Sequence, residues 1–163
     1  MIFATITYGC VQPPVKLLPN GTPAPDFTFD DAYGKPVRLS DYRGNVVVLC
    51  FWTAYYPGCL DAISAMGSAA QSFKGQKVAF VALNIWSEKD DFRNYVIDHP
   101  RLSLIHFAYD PEPEDADFAH LRYGVTGIPT ILLIDKRGNI LASGICGTQY
   151  YLTEDVQWAL AQR

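Results

Sequence analysis

The feature that most constrains this chain is a strand that must turn directly into a helix. The run Val46-Val47-Val48-Leu49-Cys50-Phe51 is apolar throughout, which suits a central strand covered on both faces. It leads through Trp52-Thr53-Ala54-Tyr55-Tyr56-Pro57-Gly58 to Cys59, where Ile63, Met66, Ala70 and Phe73 recur at helical spacing. Proline and glycine at the junction place Cys59 in the first turn of that helix. Backbone N–H groups are unpaired there and the dipole favours an anion, so the first turn is a position that stabilises a thiolate.

A second almost uniformly apolar run, Val78 to Ile85, follows a stop at Gly75 and reads as the neighbouring strand. Ser87, with Asp90 three residues later, has the pattern of a capping box opening a helix that ends at His99-Pro100. Leu102 to Phe107 is a third strand-like run, followed by an acidic loop from Asp110 to Asp115 and a short helix over 116–123 closed by Gly124. Ile131 to Ile134 and Ile140 to Ile145 flank Asp135-Lys136-Arg137-Gly138 as a hairpin, and Thr153 caps a final helix burying Val156 and Leu160 with Trp158 beside them.

Upstream, Phe27 to Asp30 and Val37 to Leu39 flank the turn Asp31–Lys35 as an N-terminal hairpin, and Ser40 caps a short helical turn ending at Gly44. Residues 11–25 carry five prolines and read as extended chain, so residues 1–20 are expected to be a lead-in and 21–163 one domain. Strand–helix–strand–helix–strand followed by a hairpin and helix gives an α/β fold with a mixed central sheet flanked by helices.

Composition narrows the function classes. A net charge of −4 with no basic run argues against a nucleic-acid surface, and no apolar stretch approaches the roughly 20 residues of a bilayer span. His99, His106 and His120 are far apart, so no metal is expected; no glycine-rich phosphate loop calls for a nucleotide, and no cofactor is expected. The four cysteines, at 10, 50, 59 and 146, form neither a CxxC pair nor a zinc pattern.

These motifs, taken in order, resemble the thioredoxin-like thiol–disulfide oxidoreductases of the TlpA/ResA type, within the redoxin group that includes peroxiredoxins. The matching stretches are Ala24-Pro25-Asp26-Phe27, Gly34-Lys35, Leu39 to Gly44, Phe51-Trp52, Cys59 at the helix start, Val125 to Thr130, and Ile134 to Gly138. They cover roughly residues 21–160. The resemblance implies a thioredoxin-like fold with a cis proline at Pro129 and a groove beside it for an extended peptide or a thiol protein. It also tips the expected location slightly toward exported or periplasmic over cytoplasmic.

The site departs from that family's pattern. Where Trp-Cys-Pro-Pro-Cys is expected the chain has Tyr55-Tyr56-Pro57-Gly58-Cys59, so Tyr56 stands at the attacking-cysteine position and Cys59 at the resolving one. Ala62 replaces a glutamate common three residues after the second cysteine. Exchange needs one thiol to attack and another to release the mixed disulfide, so the ordinary dithiol cycle cannot run between these positions.

Three functions follow in order: a redox protein working through Cys59 alone or with Cys146, a catalytically silent peptide-binding or chaperone-like module, and a peroxidase. For the peroxidase, Tyr56-Pro57-Gly58-Cys59 resembles the Thr-Pro-Gly-Cys of one peroxiredoxin group, which would make Cys59 the thiol that meets peroxide. However, tyrosine replaces the threonine, and the arginine those enzymes need is absent at Gly127-Ile128-Pro129-Thr130. Cys59 is either a reactive thiol or a core cysteine, and Cys50 reads as core. A phenol, which ordinarily ionises only at about pH 10, makes Tyr56 a poor nucleophile. Trp52, Tyr55, Pro57, Gly58, Ile128 and Gly147 are the expected partner-binding residues. Trp52, Tyr55 and Tyr56, with Tyr150 and Tyr151, form either an aromatic rim for the partner or ordinary packing.

Overall fold

The computed structural model describes residues 17–112, 117–145 and 151–162. A seven-stranded sheet runs through the molecule in the order β2-β1-β5-β4-β3-β6-β7. Its strands are β1 (Thr28–Asp30), β2 (Pro36–Arg38), β3 (Val46–Trp52), β4 (Val78–Asn84), β5 (Ile105–Tyr109), β6 (Thr130–Ile134) and β7 (Ile140–Ile145). The helices are α1 (Pro57–Ser72), α2 (Lys89–Asp98) and α3 (Leu152–Ala161). β3, β4 and β5 are parallel, while β6 runs antiparallel to β3 and β7 to β6. The sheet is therefore mixed, as the order of apolar runs requires.

Every residue of β3 is buried, which explains its unbroken apolar sequence: alternate side chains feed two cores. Val46, Val48, Cys50 and Trp52 face α1, α2 and α3 through Cys59, Ile63, Met66, Phe92, Leu152 and Val156. Val47, Leu49 and Phe51 face Phe27, Leu39, Tyr123 and Val125 on the other side. Both parallel crossovers advance in the same direction across the sheet, so α1 and α2 share one face. The opposite face is covered by the lead-in and the 118–125 segment.

The lead-in joins the domain earlier than the expected boundary at 20. Leu17 and Leu18 already pack on that second core, and the Leu18 N–H donates to Tyr123 O at 3.3 Å. The Tyr123 hydroxyl in turn donates to Pro25 O at 2.6 Å.

Other local expectations shift. The third strand begins at Ile105, because Pro100–Leu102 instead form a 3₁₀ turn. The helix expected over 116–123 is a π-type turn, Ala119–Tyr123, ended by Gly124 at φ 72°. None of the three expected hydroxyl caps forms. Ser40 lies inside its 3₁₀ turn, where its N–H donates to Asp26 Oδ1 at 2.8 Å. α2 starts two residues after Ser87, and α3 starts from Tyr151 without a side-chain cap.

The β6–β7 hairpin follows its sequence closely. Asp135 Oδ1 accepts from the N–H groups of Arg137 and Asn139, and Gly138 sits at φ 93° with the Arg43 guanidinium over its Cα. Only glycine adopts that conformation without strain, and a Cβ there would meet the arginine.

Candidate functional site

The site loop leaves β3 at Trp52 and is tied to the loop after β4. Trp52 O accepts from Ile85 N–H at 2.8 Å. Ser87 Oγ pairs with Thr53 Oγ1 at 2.7 Å and accepts from Ala54 N–H at 3.1 Å, while Ser87 O accepts from the Tyr109 hydroxyl at 3.0 Å. Ser87 is thus a tether for the loop instead of a helix cap. Thr53 is fully buried, so the Ser87 hydroxyl satisfies a group that would otherwise lose its water for nothing.

Between these ties stands Trp86, whose φ of 61° is rare for a bulky residue. Its indole N–H holds the conformation by donating to the buried Asp117 Oδ2 at 2.7 Å.

Tyr56 is the N-cap of α1, with extended backbone, and Pro57 follows at the first helical position. Tyr56 O accepts from Cys59 N–H at 2.9 Å and from Leu60 N–H at 3.2 Å. The Tyr56 ring folds back over Gly58, so that a Cβ at position 58 would come within 2.9 Å of the ring. Tyr55 is 64% exposed, Tyr56 44%, and Pro57 is exposed beside them.

Cys59 lies beneath this surface and is fully buried. Burial pushes its thiol up from an ordinary 9.0 to about 11, against the pull of a hydrogen bond with the Thr53 backbone. The helix terminus therefore does not produce the stabilised thiolate that its position promised: desolvation of the charged form outweighs it. Cys50, on the same side of β3, is pushed well up by burial and then by the neighbouring Cys59.

One prediction follows from the sign of these shifts. As pH rises from about 9 toward 11, the unfolded chain releases the Cys59 proton while the folded chain keeps it. Tyr42, pushed up by burial to about 12, works in the same direction. Stability is fully present below the unfolded values and falls with alkaline pH. Urea midpoints measured across this range should decline, and Cys59→Ala should flatten the decline; a midpoint independent of pH contradicts the burial of these groups.

Trp52, expected on the rim, is also fully buried. It pairs across the sheet with Asn84 and packs against Tyr95 and Phe107 at centroid distances of 5.0 and 5.6 Å. Its Nε1, and both polar side-chain atoms of the buried Asn84, have no hydrogen-bond partner among the described residues. Asn84 is a polar interruption in an apolar strand, a signal that the sequence carried and its reading passed over.

Pro129 reaches the site from the other side. The Ile128–Pro129 peptide is cis. Thr130 pairs with Phe51, so one step further along the ladder Pro129 lies level with Trp52 at the entrance to the site loop. Thr130 Oγ1 donates to Gly127 O at 2.6 Å and fixes the turn. Ile128 is half-buried, and outside the regular elements no described backbone–backbone hydrogen bond engages Ile128 or Pro129.

Cys146, Gly147 and Tyr150 lie outside the described residues. Among the described residues, no cluster of three or more His, Cys, Asp or Glu side chains is arranged for a metal, and no helix is long and apolar enough to cross a membrane. A depression of about 530 Å³ beside Arg38, Tyr42, His99 and His106 shares no residue with the site.

Comparison with known proteins agrees with the fold. The AhpC/TSA family model matches residues 20–143. The chain is 28% identical over 134 residues to the thiol-disulfide oxidoreductase ResA of Bacillus subtilis, covering 82% of this chain and 72% of that one. It is 32% identical over 126 residues to the ResA of Geobacillus kaustophilus, covering 74% of this chain and 66% of the relative. Among solved structures, one from Chlorobium tepidum assigned as a thiol:disulfide interchange protein DsbE superposes with a TM-score of 0.75 at 29% identity, covering 88% of this chain and 99% of that one. The thioredoxin domain of a Bacteroides vulgatus thiol-disulfide oxidoreductase gives 0.73 at 23% identity, covering 87% and 99%, a likeness of fold. The chain belongs to the AhpC/TSA family and is a thioredoxin-like protein of the TlpA/ResA type.

Proposed function

We propose that this chain is a thioredoxin-like binding module that holds an extended peptide beside Pro129 and does not itself exchange disulfides. The observation that carries this reading is the division of the site into two layers. The only cysteine of the Tyr56–Cys59 turn is fully buried, with its thiol held protonated at neutral pH. The surface above it offers Tyr55, Tyr56 and Pro57, next to a cis-proline loop. An extended peptide laid against that loop would pair with the Ile128 backbone as an added strand does.

A second reading rests on Cys59. The Thr53 backbone hydrogen bond favours the thiolate, and a single thiol so placed could accept a mixed disulfide once the Tyr56 ring swings off Gly58.

Thiol labelling separates the two. Alkylation mapped by mass spectrometry should leave Cys59 unmodified in the folded chain and modify it fully in denaturant. Insulin disulfide reduction by the parent chain should not exceed the background set by the dithiol reductant. Rapid native labelling of Cys59, with turnover lost in Cys59→Ser, would overturn the binding-module reading in favour of the single-thiol one.

A further inference from the structure

We infer that the occupant of this groove is a cationic extended segment, one carrying arginine or lysine side chains; the inference rests on the binding-module reading and deepens it. Thr130 pairs with Phe51 on one side and with Ile145 on the other, so the ends of β3 and β7 and the start of β6 meet at one end of the sheet. α1 starts there after β3. α3 starts after β7 and returns along the same face to pack against α1, β3 and β6.

Tyrosines are exposed at both helix starts. Tyr55 and Tyr56 precede α1, and Tyr151, 55% exposed, precedes α3. Every charge on the same segments is negative. Residues 44–73, 124–134 and 138–162 contain no lysine, arginine or histidine; their ionisable acids are Asp61 on α1 and Glu154 and Asp155 on α3. The basic residues of α2, Lys89 and Arg93, line a separate depression with Asp30, Phe92 and Tyr109.

A site edged by exposed tyrosines, on helices that carry carboxylates and no cation, selects by charge. A guanidinium can lie on a tyrosine ring while its edge meets a carboxylate, and an acidic segment meets only repulsion. Surface carboxylates act within about a Debye length, roughly 8 Å at physiological salt, so the preference must fade as salt rises.

The test uses labelled short extended peptides, identical except at two positions that carry arginine, neutral citrulline or glutamate. Binding is read by anisotropy, and its location by NMR shifts of the isotope-labelled chain. The arginine peptide should bind about tenfold more tightly than the citrulline peptide at low salt, and the glutamate peptide more weakly still. Asp61→Lys with Glu154→Lys should abolish or reverse the order, and Tyr55→Ala should weaken the arginine peptide most. Shifts should centre on Tyr56, Gly58 and Ile128.

Equal binding of all three peptides at these residues would overturn the charge selection and leave the binding-module reading standing. Arginine-dependent binding that shifts other residues and ignores the double variant would overturn the inference as well. No shift at Tyr56 or Ile128 with any peptide would remove the binding-module reading, and the inference with it.

Discussion

Replacing Trp52 with alanine is expected to destabilise the protein by about 3–5 kcal/mol, the usual cost of removing a large buried aromatic side chain. Trp52 is fully buried and packs between Tyr95 and Phe107 over the end of β3, with Phe92 at 6.5 Å. The same substitution at Tyr55, 64% exposed, should change stability by no more than about 0.5 kcal/mol. Trp52→Phe sharpens the comparison. Phenylalanine keeps most of the packing and removes an indole N–H that has no partner among the described residues, so two terms of opposite sign nearly offset. Its cost should stay below about 1.5 kcal/mol. Urea denaturation of the three variants gives the order directly. A small effect at Trp52 together with a large one at Tyr55 would return Trp52 to the rim and Tyr55 to the core.

That contrast also shows where the sequence was informative. Strands β3 and β4 were legible because burial on both faces leaves no polar position, and 46–51 and 78–85 show none except Asn84. The hairpin at 135–138 was legible because its aspartate and glycine each do a local job. Depth was not legible. Trp52 and Cys59 flank a loop whose Tyr55, Tyr56 and Pro57 are exposed, and only the side of β3 and the turn of α1 on which they fall decide that both point inward.

Hydroxyl groups misled for a related reason. Ser87 has the spacing of a cap, yet its side chain is claimed by Thr53 and Ala54, 34 and 33 residues away in sequence. Local patterns state what a side chain is able to bond; the tertiary fold decides which partner arrives. The same holds for the thiol. The first turn of α1 favours an anion, but the favour is worth less than the water lost when Cys59 is enclosed.

Tyr56→Cys is expected to convert this module into a disulfide reductase. The backbone around position 56 is already that of a helix N-cap, with Pro57 and Gly58 leading to Cys59 and the cis-proline loop level with Trp52. A thiol at position 56 would replace a ring that is 44% exposed, so it would meet solvent, unlike Cys59. At the positive end of the α1 dipole its thiolate would be stabilised without the desolvation that Cys59 suffers. Removing the ring also uncovers Gly58, on which it lies. The new thiolate attacks a substrate disulfide, releasing one substrate thiol. Cys59 then attacks the mixed disulfide, releasing the second substrate thiol and closing an intramolecular disulfide with the introduced sulfur, which the dithiol reductant reopens. Because the side chain lost is half-exposed, stability should change by less than about 1.5 kcal/mol. Insulin reduction should rise at least about tenfold over the parent, in step with the population of the engineered disulfide seen by mass spectrometry. Cys59→Ser in the same background should leave the mixed disulfide trapped and abolish turnover. A folded variant that forms no such disulfide would show that Cys59 does not occupy the resolving position, and would reopen the alignment in which Cys59 itself meets a peroxide.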